Sequence, residues 1–289
     1  RYDAPGQSIR AGDGAPFPRS RYIQFRVNLN VPAGSGGTCI SEISLQYEVD
    51  KIYVPLVLKS TGTPPTTRRP NDPYYVQYQW NMELIGAPQA WASSLGAGQR
   101  IAVIDTGTDL DHPEFAGQLL AGRDFVNADD TAEDQNGHGT HVAGIAAART
   151  DNGTGVAGVA WQARVRPVKV LDATGNGTIA NVASAIRWSA DQGDRIINLS
   201  LGGTADSSTL RDAVNYAYGK GALLIAAAGN SALEGNPTFY PAAYEHVLAV
   251  GAVNDTRGHA RYSETGPYVD IAAPGGDPDG ETDATVSHW

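Results

Sequence analysis

Four short stretches set polar, chemistry-bearing side chains beside glycine at the ends of apolar runs. In "IAVIDTGTDLDHPEF", Asp105 directly follows Ile104. A carboxylate at the rim of a buried strand can accept the Nδ1–H of an imidazole and orient it. It can equally cap a turn. In "NGHGTHVAGIAA", His138 and His141 stand three residues apart, and Gly137 and Gly139 flank the first of them. Histidines at i and i+3 share a helix face, so zinc ligation is one chemistry open to them. The metalloprotease pattern differs: its spacing is i, i+4 with a glutamate after the first histidine, whereas Gly139 and Thr140 stand here. General-base catalysis is a second possibility, because the positive end of a helix keeps a first-turn imidazole neutral. Capping or packing is the third. In "AAAGN", Asn230 follows Gly229 at a strand end, placed either to donate to an oxyanion or to sit in a left-handed turn. In "NLSLGG", the backbone near Gly202 and Gly203 could pair with an extended peptide or simply turn.

Strands and helices must alternate to hold these groups. "RIAVID", "RVRPVKVL", "RIINLSL", "ALLIAAAGN", "HVLAVGAV" and "YVDIAAPG" are short apolar runs bounded by Gly, Asp or Asn, as in strands buried on both faces. Between them "GTHVAGIAAAR", "IANVASAIRWSADQG" and "STLRDAVNYAYGKG" have helical periodicity, the last two stopping at glycine. This pattern predicts an α/β fold, a doubly wound, mostly parallel sheet flanked by helices, with its ligand site at the carboxyl ends of the strands.

The alternating unit spans 74–289. Residues 1–60 are β-rich, with runs such as "RYIQFRVNLNV", and are expected to be either the end of a β-sandwich module or an irregular extension. Residues 61–73, "TGTPPTTRRPNDP", read as an extended, solvated linker. Lys and Arg number 21 against 31 Asp and Glu, a net charge of −10. That repels polyanions and argues against a nucleic-acid partner. The single cysteine, Cys39, excludes an internal disulfide. No apolar run is long enough to span a bilayer, so no membrane partner is expected.

In this order on this architecture, "NDPYY", "GAPQAW", "VIDTGTDLDHPEF", "NGHGTHVAGIAAA", "VLDATGNGT", "INLSLGG", "AVNYA", "AAAGN" and "DIAAPG" resemble the subtilisin-like serine peptidases (subtilases), and among them the thermitase branch. The resemblance implies a serine-type endopeptidase. Asp105 would be the triad carboxylate, His138 the general base and then acid, with His141 packed behind it. Asn230 would be the oxyanion donor. It implies a polypeptide substrate lying extended between Ser200-Leu201-Gly202 and Gly175-Asn176-Gly177, with Ala227, Ala228 and Gly229 lining the primary specificity pocket. It also implies structural calcium and no organic cofactor. One calcium site would use Asp72, Glu114, Asn152 and the carbonyls of Arg149, Thr154 and Val156. A second would use Asp124, Asn127, Asp129, Thr131 and Glu133, with Asn127 standing where the family pattern has a carboxylate. A secreted monomer is expected.

The nucleophile breaks the pattern. The family carries it in a Gly-Thr-Ser-Met-Ala-like segment downstream of "AAPG", and no such segment follows Gly275 here. Ser287 has no glycine before it and no helix after it; Ser263 and Ser200 belong to other blocks. The expectation is an internal piece of a longer secreted protein, inactive as it stands, with one side of the sheet and the base of the His138 helix poorly covered. The rival expectation is a non-catalytic subtilase-fold module that binds peptides or calcium.

Overall fold

The computed structural model describes residues 67–277. The β-rich zone 1–60, linker residues 61–66, Cys39 and Ser287 lie outside the described residues. Seven strands, β1 Arg100–Asp105, β2 Arg123–Asp124, β3 Arg164–Lys169, β4 Ile196–Leu199, β5 Leu223–Ala227, β6 Val247–Val253 and β7 Ile271–Pro274, form one sheet in the order β2-β3-β1-β4-β5-β6-β7. Every pairing between these strands is parallel. The helices are α1 Pro73–Tyr78, α2 Trp80–Leu84, α3 Ala87–Ala90, α4 His138–Ala147, α5 Ile179–Asp191 and α6 Ser208–Gly219.

Side-chain alternation along β1 decides which helix covers which face. Ile101 and Val103 pack with Ala143 and Ala147 of α4. Ala102 and Ile104 point the other way, into the core built with α5 and α6. Alanines at Ala183, Ala190, Ala213 and Ala217 keep those two helices close to the sheet. Thr178 and Ser207 cap them, accepting the N–H groups of Asn181 and Leu210. The chain leaves β1 for β3 on one side, then crosses through α5 to β4 on the other. The strand order therefore reverses at the carboxyl end of β1, where a crevice must open. Asp105 is the last residue of that strand.

Residues 67–72 form no helix or strand, yet the composition-based expectation of a solvated linker fails from Arg68 onward. Arg68 stacks over Trp161 at 4.6 Å, its N–H bonds the Pro88 carbonyl, and Asp72 is fully buried. The compact unit accordingly begins at Thr67 rather than 74. The short helices α1–α3 carry Tyr75, Met82 and Trp91 into a small cluster with Trp161. Gln79 reads the Ala157 peptide in both directions, at 2.8 and 2.6 Å.

The α4 side of the sheet is unevenly covered. In β5 and β6, Leu224, Ala226, Val247 and Ala249 are buried on the α6 side, whereas Ile225, Leu248 and Val250 remain partly open. Leu223 is 45% exposed, Ile271 of β7 54%, and Ile145 of α4 43%. No helix among the described residues is long and apolar enough to cross a membrane.

Candidate active site

Asp105 is fully buried, and its Oδ1 lies 2.7 Å from His138 Nδ1. The same oxygen accepts the Thr106 N–H at 2.7 Å. Two close backbone approaches make this pairing possible. The loop after β1 turns at Gly107 with φ +111°. Gly139, the second residue of α4, then sits so near that a Cβ there would overlap the Gly107 carbonyl and lie 3.1 Å from Asp105 Cβ. Thr106 Oγ1 completes the join by accepting the Gly139 N–H at 2.8 Å. Gly139→Ala is therefore expected to cost about 3 kcal/mol, as rigid backbone must shift. Urea denaturation would measure this, and a loss under about 0.5 kcal/mol, the scale of a surface change, would show that the contact can relax.

The side chain of His138 is 49% exposed, and its second ring nitrogen has no partner among the described residues. The hydrogen bond to Asp105 raises its pKa; burial opposes the rise, and the charges of Asp105 and Asp134 add to it. His141 departs from the expectation of packing behind His138. It lies on the exposed side of α4, with a pKa lowered by partial burial and by the charge of His138. Among the described residues no three His, Cys, Asp or Glu side chains gather as a metal-binding group, so the zinc alternative finds no third ligand.

Asp134 and Lys169 also hold this site together, and sequence reasoning missed both. Asp134 Oδ1 accepts the N–H groups of Asn136 and Gly137, each at 2.9 Å; Oδ2 accepts Thr140 N–H at 2.9 Å and Thr140 Oγ1–H at 2.6 Å. One carboxylate thereby anchors the first turn of α4. Burial pushes its pKa up, but the hydrogen bonds from Gly137, Thr140 and Asn136 outweigh it and hold it at about 2. The signal was an aspartate four residues before a histidine at a helix start. Asp134→Ala is expected to destabilise the chain by about 1–2 kcal/mol at neutral pH. A depressed carboxylate pKa contributes stability above the ordinary value near 3.9, and that contribution is lost as pH falls through about 2. The difference between variant and parent in chemical denaturation should therefore shrink as pH falls from about 4 towards about 2. Lys169 is 1% exposed, and its Nζ donates to the carbonyls of Thr106 and Leu171 at the ends of β1 and β3.

The remaining expected residues fall on the same rim. Register sets Val103 beside Asn198 and Leu199 beside Ala226, so Asp105 and Ala227, which end β1 and β5, flank Ser200, the residue just after β4. Ser200 and Leu201 are partly buried and Gly202 is exposed. Gly175, Asn176 and Gly177 form the turn after β3, anchored next to His138 by Asn136 Nδ2 on the Ala173 carbonyl at 3.0 Å. Ala228 is buried, Gly229 has φ +121°, and Asn230 is exposed at the end of β5. Ser200 Oγ accepts a hydrogen bond from Asn198 Nδ2 at 2.9 Å, and Ser263 Oγ accepts the Ala252 N–H at 2.9 Å.

Two oxygen-rich loops are also present, the first around Asp72 and Glu114 and the second at the carboxyl end of β2, where Asp124 pairs in register with Lys169. Asp72, fully buried, accepts the N–H groups of Asp151 and Asn152 at 2.8 and 3.2 Å. Glu114, 6% exposed, accepts Thr154 Oγ1–H at 3.1 Å and Asn152 Nδ2 at 3.4 Å. Neither carboxylate has an ion-pair partner among the described residues. The Glu114 pKa is raised chiefly by burial, with a further push from Asp72. In the second loop, Asp124 is taken up by Val126 N–H, Asn127 N–H and Asn127 Nδ2. Asp129 holds the Thr131 N–H, and Glu133 the Leu110 N–H. Asp124, Asn127, Asp129 and Thr131 close turns within their own loop, whereas Glu133 reaches across to the loop after β1.

The subtilase family model matches residues 96–289. Thermitase of Thermoactinomyces vulgaris is 48% identical over 71% of this chain and 73% of its own length. A thermophilic serine proteinase of Bacillus sp. (strain AK1) is 49% identical over 72% of the chain, which spans 52% of that protein. A minor extracellular protease of Bacillus subtilis is 44% identical over 68% of the chain and 30% of its own length. Among solved structures, a protease from Pseudoalteromonas arctica superposes with a TM-score of 0.66 at 33% identity, covering 72% of this chain and 73% of that one.

Proposed function

The chain belongs to the subtilase family, and from that premise we propose that it carries the acid and base of an endopeptidase site that hydrolyses polypeptides by a Ser-His-Asp mechanism. The observation that carries this reading is the 2.7 Å bond between buried Asp105 and His138, whose other nitrogen faces outward. Asp105 fixes the tautomer by accepting Nδ1–H and stabilises the imidazolium when it forms. His138 takes the proton of a serine hydroxyl and returns it to the leaving amine. Asn230 donates to the oxyanion. The substrate runs extended between Ser200–Gly202 and Gly175–Gly177, with its side chain before the cut in the Ala227–Gly229 pocket. No serine among the described residues bonds to His138, so the 289-residue chain is proposed to be inactive by itself. The test is peptide hydrolysis by a longer chain that supplies a Gly-Thr-Ser segment. Activity abolished by His138→Ala supports the reading. Full activity in that variant overturns the role of His138, and none in the longer parent overturns the reading in favour of a peptide-binding module.

Calcium at the first oxygen-rich site belongs to the same proposal. Two buried carboxylates with no ion-pair partner among the described residues suit a hard cation, which takes oxygen ligands. Asp72, Glu114 and Asn152 would hold it with the carbonyls of Arg149, Thr154 and Val156. The ion would join the segment before α1 to the loop after α4, a purely structural role. At about 100 times its Kd it would add about 2.7 kcal/mol. Chelation is then expected to lower Tm by about 5–10 °C, with recovery on adding calcium. An unchanged Tm would remove calcium from the proposal. An extracellular monomer is the setting that suits these properties.

A further inference from the structure

Asn230 follows a strand end and is exposed, with the backbone immediately before it in the left-handed region, φ +121° at Gly229. A side chain meant to meet a developing charge must be held before that charge appears. The segment Tyr262–Tyr268 supplies the hold. Tyr268 Oη donates to the Ala228 carbonyl at 3.0 Å. The Glu264 N–H lies 3.4 Å from the Gly229 carbonyl. Glu264 Oε1 accepts the Ser231 N–H at 2.6 Å, and the Tyr262 carbonyl accepts the Ala232 N–H at 3.1 Å. The residues on both flanks of Asn230 are thus tied to one strap. Glu264 is its centre. It is 1% exposed, and its carboxyl carbon fills the space where a Cβ on Gly229 would stand, 2.6 Å away. Asn236 closes the loop from the far side, exchanging bonds with the Thr265 backbone at 2.9 and 2.8 Å.

We propose that Glu264 is a positioning residue for Asn230, gripping the loop that carries the oxyanion donor from both flanks. This rests on the reading of Asn230 given above. It adds that a buried acidic side chain, not strand pairing alone, sets where the donor points. β5 stops at Ala227, so Gly229 to Ser231 lie beyond the ladder, and Glu264 takes up the Gly229 carbonyl and the Ser231 N–H there.

Amide hydrogen exchange and NMR on the 289-residue chain test the inference without any need for hydrolysis. Glu264→Ala should speed exchange at Ser231 by about tenfold, the scale of one lost hydrogen bond. It should also shift or broaden the Asn230 side-chain amide signals while leaving Leu224 and Ile225 of β5 protected. Glu264→Gln keeps an acceptor for Ser231 and should restore both readouts. In the unsubstituted chain, a coupling across the hydrogen bond from Ser231 nitrogen to the Glu264 carboxyl carbon is expected, a readout that no folding defect can obscure. An absent coupling, unchanged Asn230 and Ser231 signals in Glu264→Ala, or equal loss of protection throughout β5 would overturn the proposal. Whether Asn230 serves hydrolysis is read separately, from Asn230→Ala in the longer chain. An unaffected rate there would sink the oxyanion role and leave the positioning result standing.

Discussion

A fluorophosphonate probe, which bonds covalently to an activated serine, is expected to leave the 289-residue chain unlabelled and to label a longer chain whose serine meets His138. The structure gives the reason. His138 is oriented, its outer nitrogen has no partner among the described residues, and no serine described there is bonded to it. Ser200 accepts from Asn198, Ser263 holds the Ala252 N–H, and the Ser231 backbone is bound to Glu264. Without a serine hydroxyl to deprotonate, a base contributes nothing to acyl transfer. The expected loss relative to the longer chain is roughly 10⁶-fold in kcat, the size known in subtilisin for removal of the serine. Mass spectrometry of the probe adduct, with a His138→Ala control, is the measurement. Stoichiometric labelling of this chain that disappears in the control would show that a serine does reach the base, and the proposed inactivity would fall.

The second large effect concerns Asp105→Asn. In the parent, the hydrogen bond to Asp105 holds the His138 pKa above its ordinary value near 6.5. The pair therefore contributes stability below that value, and the contribution is lost as pH rises through the folded pKa. With asparagine in place, the attraction of Asp105 goes while partial burial and the charge of Asp134 remain, so His138 should titrate lower than in the parent. NMR titration of the ring protons would follow this in the 289-residue chain. In the longer chain the same substitution should lower kcat by roughly 10⁴-fold, because an amide favours the wrong tautomer. An unchanged His138 titration would mean that the 2.7 Å contact does not exist in solution.

Much of this was legible in the sequence for a physical reason. Strands buried on both faces must be continuous apolar runs, and β1, β3, β4, β5, β6 and β7 each lie within a run read that way. The helices α4, α5 and α6 lie where small and apolar residues recur with helical spacing. Asp105 and His138 stood out as candidates because polar residues at a strand end and a helix start interrupt apolar runs, and the family blocks around them then implied their roles. The short helices α1–α3 and the two-residue β2 were not, since none is long enough to show a period. The docking of Arg68 to Asp72 was hidden as well. Proline-rich composition predicts an extended chain but says nothing about what that chain lies against.

The sequence by itself determined the fold class and the order of the strands along the chain, because each depends on local pattern, and it marked Asp105 and His138 as candidates through the family resemblance. Only the tertiary structure decided how close those groups come and what holds them. The 2.7 Å bond depends on Gly139 meeting Gly107, 32 residues apart in the chain. The anchoring of α4 depends on all four bonds to Asp134. The seat of Asn230 depends on Glu264, more than thirty residues downstream. Hydrogen bonds are directional and act over about 3 Å. A periodicity can say which face a residue occupies, but not which distant atom will lie within that reach.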